Sequence, residues 1–207
     1  MVGEGVLHEC LLHPDVESVL VIGRRACGVQ HPKLQEIIHD NFYDFSALND
    51  RLTGYNACFF CMGVSSVGMK EDKYRSVTYD ITLALARLLA PLNPGMVFNY
   101  VSGAGTDSSE KGRLMWARVK GKTENDIMAL PFKAAYMFRP GFIQPTRGLK
   151  RTYRMYRLLM PLMPALRFLF PGAVCSLREV GLAMIHSVTR GYDKRILSVK
   201  DIVQLAK

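Results

Sequence analysis

Four short apolar runs constrain the fold more than any other feature: SVLVIG (18–23), ACFFCMG (57–63), MVFNYVSG (96–103) and AAYMFRPG (134–141), each closing on a glycine. Runs of this length without polar alternation suit strands covered on both faces. The longer stretches between them have helical spacing. In VTYDITLALARLLA, Val77, Ile81, Leu85 and Leu88 form one stripe, because side chains three or four residues apart share a helix face. A second helical stretch, WARVKGKTENDIMAL, follows the third run. Strands alternating with helices imply crossover connections, a parallel sheet and an α/β fold. Ligands of such sheets sit at the carboxyl ends of the strands, so the Gly and Ser residues closing the runs are where a site is expected. A last helix is announced by Ser176 and Glu179 in SLREVGLAMI, a capping-box pattern ahead of an apolar run, and Gly191 marks its end.

At 207 residues, 49% of them apolar, the chain is expected to be one globular domain with a substantial core. The sequence has neither an uninterrupted apolar run of membrane-spanning length nor the pattern of a secretory signal, and the resulting expectation is a cytoplasmic protein. Cys58 and Cys61 form a CxxC, but inside a strand-like apolar run with no second pair to complete a zinc set. Cys10, Cys27, Cys58, Cys61 and Cys175 are therefore expected as unbridged thiols, with no metal. Lysine and arginine exceed aspartate and glutamate by nine, and the stretch between Asp126 and Glu179 contains no acidic residue. Such a stripe attracts phosphate, an anionic membrane face or nucleic acid by charge alone.

Taken in order along nearly the whole chain, VGEGVL, VLVIGRR, CFFCMGVSS, YVSGAG, WARVKGKTE and FRPGFIQP resemble the short-chain dehydrogenase/reductase superfamily, in its atypical branch similar to the Tat-interacting tumour-suppressor oxidoreductases. The resemblance implies one NAD(P)-binding Rossmann-like domain over residues 1–207, a doubly wound parallel sheet with residues 146–173 as a basic helical lid. In that superfamily a GxxGxxG loop follows the first strand, so that backbone can approach the pyrophosphate at a helix N-terminus. Here MVGEG matches only the end of the loop, with Gly3 as its third glycine, and the expectation is a clipped chain whose first strand is missing. Arg24 and Arg25 stand where NAD-preferring relatives carry an acidic residue. Guanidinium groups suit a 2′-phosphate, so NADP is expected over NAD. The resemblance further places Asn41 and Phe42 beside the adenine, Cys61, Met62 and Gly63 under the adenosine ribose, and Pro140, Gly141 and Phe142 on the nicotinamide side.

The superfamily's catalytic set is a serine with YxxxK: serine orients the carbonyl, tyrosine delivers the proton, and lysine lowers the tyrosine pKa and holds the nicotinamide ribose. The matching residues here are Ser102, Trp116 and Lys120, a WxxxK. Positions four apart face the same groove, but an indole N–H donates a hydrogen bond without releasing a proton near neutral pH. The usual acid is missing. Tyr100, Ser65 or a bound water could replace it. Two readings follow: an atypical, epimerase-like or reductase-like oxidoreductase acting on an unidentified small carbonyl or hydroxyl compound, or a nucleotide-sensing or scaffold protein of the same fold. The basic segment TRGLKRTYRMYRLLMPLMPALRFLFPG, broken by Pro161, Pro164 and Pro171, lies where family members build a substrate lid. Closure over a substrate, peripheral contact with an anionic membrane and contact with another partner stay open, as does assembly into an oligomer. No nucleic-acid motif is present.

Overall fold

The structure is a computed structural model that describes residues 1–146 and 172–207; the greater part of the basic segment lies outside the described residues. In chain order the elements are α1 (Val2–Leu12), β1 (Val19–Gly23), β2 (Leu34–Ile38), α2 (Asn49–Leu52), β3 (Ala57–Phe60), α3 (Glu71–Arg75), α4 (Ile81–Leu92), β4 (Val97–Val101), α5 (Met115–Met128), β5 (Ala134–Phe138), β6 (Phe142–Gln144), β7 (Val174–Ser176), α6 (Leu177–Thr189), β8 (Ile196–Leu197) and α7 (Val199–Leu205). They group into two compact units, residues 1–40 with 140–192 and 198–207, and residues 41–139 with 193–197.

In the first unit β1 pairs with β2 in parallel, Val19 opposite Leu34 and Gly23 opposite Ile38. The short strands β6 and β7 form a second parallel pair. Helix α1 lies against α6 at close range because two glycines leave room: a Cβ on Gly5 would lie 2.1 Å from Leu177 Cδ2, and one on Gly181 would lie 2.7 Å from Glu9 Cγ. The capping box read from the sequence starts α6. Ser176 Oγ accepts from the Glu179 N–H at 3.1 Å, and the Glu179 carboxylate accepts from the Ser176 N–H at 2.7 Å, satisfying two donors that a helix start otherwise leaves open. Gly191, at φ +73°, follows the end of the helix. Ser198 and Asp201 repeat the box at the start of α7.

The second unit is built on a four-stranded sheet of order β3-β4-β5-β8, parallel throughout. Its central strands are buried nearly end to end, with Phe98, Tyr100, Met137 and Phe138 fully enclosed, as expected for apolar runs without alternation. The stripe expected on α4 is shifted. Ile81 and Leu85 are buried, but Val77 and Leu88 are only half-buried, while Thr82, Leu83, Ala86 and Ala90 pack deepest. A π-helical turn over Ser76–Asp80 precedes α4. It widens the helical repeat by one residue and rotates the buried face, a change that a 3.6-residue reading of the sequence does not anticipate.

Candidate functional site at the carboxyl end of the central strands

Strand β4 ends at Val101, which puts Ser102 at the carboxyl edge of the sheet, where its N–H donates to Phe138 O at 2.9 Å. Helix α5 runs beside it. Trp116, Lys120 and Glu124, at successive intervals of four, form one stripe. The Lys120 ammonium donates to the Ser102 carbonyl oxygen. Ser102 Oγ donates to Glu124 Oε1 at 2.5 Å, with Phe138 O a more distant acceptor at 3.2 Å. A hydroxyl has one hydrogen to give, and the nearer, charged acceptor holds it.

Glu124 is fully buried and bound from its other side by Arg139, which follows β5. Arg139 Nε donates to Oε1 at 3.0 Å and a terminal nitrogen donates to Oε2, while the same terminal nitrogen reaches Ser108 Oγ at 2.6 Å. This is the forked, bidentate geometry that makes arginine–carboxylate pairs strong. Burial pushes the Lys120 ammonium below the ordinary lysine range, and the Glu124 charge opposes that shift. Glu124 and Arg139 were not singled out in the sequence. Glu124 lies a turn past Lys120 on the same stripe and Arg139 stands just beyond an apolar strand, but neither position by itself shows that the two meet.

The loop joining β4 to α5 is held by Asp107. Its carboxylate accepts from Ser109 Oγ at 2.6 Å, Ser109 N at 3.0 Å and Gly112 N at 2.6 Å, and these bonds, that to the Ser109 hydroxyl foremost, keep it below the usual carboxylate range. Gly121 lets this loop close on α5, since a Cβ there would lie 1.8 Å from Asp107 O. Trp116 is half-buried, its ring edge 3.2 Å from where a Cβ would stand on Gly105, a residue at φ +86°. Neither side-chain candidate for a replacement proton donor fits. Tyr100 is 1% exposed, lies tilted against Phe60 and has its phenol raised by burial. Ser65 is exposed and accepts from Val67 N at 3.3 Å in a local turn.

The expected cofactor residues are distributed over both units. In the first, Gly3 is exposed in the opening turn of α1. Arg24 and Arg25, directly after β1, are exposed, and neither has an ion-pair partner among the described residues. Pro140 is buried, and Gly141 has a packing reason to lack a side chain, because a Cβ there would lie 2.4 Å from Ala173 O. Phe142 is 53% exposed at the start of β6. In the second unit Asn41 accepts from Tyr43 N at 3.2 Å, and Phe42 meets Phe45 edge to face. Cys61 and Met62 are half-buried beyond β3, and Gly63 opens on space with no atom within 4 Å of a Cβ. All five cysteines are thiols, and burial pushes those of Cys10 and Cys58 up to about 12, which makes them poor nucleophiles.

No family model matches the chain. Among curated proteins, the mitochondrial protein fmp52-1 of Aspergillus oryzae is 30% identical over 154 residues, 71% of this chain and 63% of that protein. Protein fmp52-1, mitochondrial, of Aspergillus terreus is 29% identical over 185 residues, 85% of this chain and 74% of that protein. Protein HTATIP2 of Rattus norvegicus is 27% identical over 144 residues, 68% and 58% of the two chains. The match thus spans less than two thirds of the first and third of these proteins. The expected cytoplasmic location is corrected by the fungal relatives, which are named mitochondrial. Among solved structures, a UDP-N-acetylglucosamine 4-epimerase from Methanobrevibacter ruminantium M1 superposes with a TM-score of 0.66 at 12% identity, over 99% of this chain and 77% of that one. A short-chain dehydrogenase/reductase superfamily protein from Agrobacterium tumefaciens, with bound NAD, gives 0.65 at 11% over 99% and 78%. The chain is a homologue of the Fmp52 and HTATIP2 proteins, built on the Rossmann-like fold of the short-chain dehydrogenase/reductase and epimerase structures.

Proposed function

We propose that this protein binds NADP on a short-chain dehydrogenase/reductase fold and that its turnover of small carbonyl or hydroxyl compounds is suppressed, so that it acts as a nucleotide-sensing member of its family. A nicotinamide dinucleotide is the cofactor of two structural neighbours, which hold NAD, and the residues here fit the group. In the second unit Lys120 presents a cation at the end of β4 and Gly63 leaves open space after β3; in the first unit Arg24 and Arg25 are exposed after β1, with no ion-pair partner among the described residues. When bound, the nicotinamide supplies or accepts a hydride. Lys120 would hydrogen-bond its ribose, and the arginine pair would take the 2′-phosphate. By the same reading the protein shares the mitochondrial compartment named for its fungal relatives.

One observation carries the suppressed turnover: among the described residues, neither of the side chains that the superfamily's pattern places beside Lys120 is free to deliver a proton. Position 116 is tryptophan and the Ser102 hydroxyl is held by Glu124. Loss of a positioned acid forfeits on the order of 10²–10⁴ in rate. The retained lysine favours the second reading, a slow reductase drawing its proton from water. The double variant Arg24→Ser, Arg25→Ser tests the cofactor choice. Charge-assisted hydrogen bonds contribute roughly 1.5–3 kcal/mol, so NADPH affinity, measured by calorimetric titration, should fall about tenfold or more while NADH affinity stays unchanged. Equal losses for the two nucleotides would refute the assignment to the 2′-phosphate.

A further inference from the structure

Resting on the nucleotide-binding reading of this edge, we propose that Glu124, clamped by Arg139, is a positioning residue that fixes the protonation of the site: it holds the Ser102 hydroxyl hydrogen and keeps Lys120 cationic. The geometry separates two roles within one serine. The Ser102 hydroxyl turns inward to Glu124 Oε1, and its backbone carbonyl accepts from Lys120. The hydroxyl therefore does not polarise a substrate carbonyl while Glu124 is charged, and the carbonyl steers the ammonium along the strand end.

The carboxylate is engaged by Ser102 and by the Arg139 fork, while the Lys120 ammonium donates to the Ser102 carbonyl. It acts through space from one turn away. Desolvation favours a neutral amine at Lys120, and Glu124 works against it. The other titratable or charged groups on the packed elements do not do this work. Tyr74 of α3 and Tyr100 of β4 are buried phenols raised by desolvation. Tyr79 of the π-helical turn donates to Asp126, which Lys122 also engages, and these two α5 residues lie on the opposite side of the helix from Lys120 and Glu124. Arg139 would depress a neighbouring cation, so among the described residues Glu124 supplies the favourable charge.

The test reads Lys120 without requiring any nucleotide. In the full chain, the pH midpoint of Lys120 amine labelling by acetic anhydride, followed by peptide mass spectrometry, should drop by about one unit in Glu124→Gln. The double variant Glu124→Gln, Arg139→Met removes the opposing cation as well, and its midpoint should fall between those of the single variant and the parent. Should the single variant fail to fold, the double variant alone carries the test. Midpoints equal to the parent's in every variant that folds would overturn the proposal, because a merely structural pair would leave the titration of a neighbour unmoved. Protection of Lys120 from labelling by NADPH reports separately on nucleotide binding, so failure of the one is distinguishable from failure of the other.

Discussion

Arg139→Met is expected to destabilise the protein by about 3–5 kcal/mol, the usual consequence of leaving one member of a buried ion pair uncompensated. The size follows from where the charge is left. Glu124 has no solvent exposure, and of its described partners only Arg139 carries a formal charge in direct contact. The Ser102 hydroxyl contributes a hydrogen bond but no neutralisation. Glu124→Gln combined with Arg139→Met should recover most of the loss, since replacing both charges removes the penalty together with the attraction. Urea unfolding of the two variants and the parent, compared at constant m-value, gives the measurement. A single variant within 1 kcal/mol of the parent would mean that water reaches Glu124 freely.

Trp116→Tyr should raise NADPH-dependent reduction of a panel of small aldehydes and ketones by on the order of 10², the contribution of one positioned general acid. The substitution is sterically permissive. A phenol ring is smaller than the indole that now reaches toward Gly105, and the hydroxyl would stand four residues before Lys120, within the field of its ammonium. The expected gain is at the low end of the range for such groups because Ser102 still donates to Glu124 and does not join in. Trp116→Phe is the control, since it makes the same reduction in size without a proton to give. Equal steady-state rates for the tyrosine and phenylalanine variants would show that the missing acid is not what limits turnover.

Much of this architecture is readable from the residues. The four apolar runs become β1, β3, β4 and β5; for β4 and β5 the lack of polar alternation reflects burial on both faces, whereas β1 and most of β3 are only half-buried. The capping pair Ser176 and Glu179 marks the α6 start for a local reason that no tertiary contact overrides. Other strands were invisible for equally physical reasons. β2 reads LQEII, a polar–apolar mixture, and β6, β7 and β8 have two or three residues each, too few for a period to show. At the site, spacing alone brings Trp116 and Lys120 onto one stripe. It does not reveal that Glu124 extends the stripe inward, since burying a carboxylate makes sense only once Arg139 is seen to arrive from another strand. The orientation of Ser102 depends on that meeting too. Compartment was the least legible property, being set by signals that packing and charge balance do not contain.

The central claim is that a phosphorylated dinucleotide is held by this fold, and Trp116 offers the direct measurement. It is the sole tryptophan, half-buried and one helical turn before Lys120, so its emission reports on a nicotinamide arriving beside the lysine. Titrating the protein with NADPH and with NADH should give saturable quenching and energy transfer with both, NADPH binding tighter by about tenfold or more. Flat titrations with both nucleotides, or a preference for NADH, would contradict it.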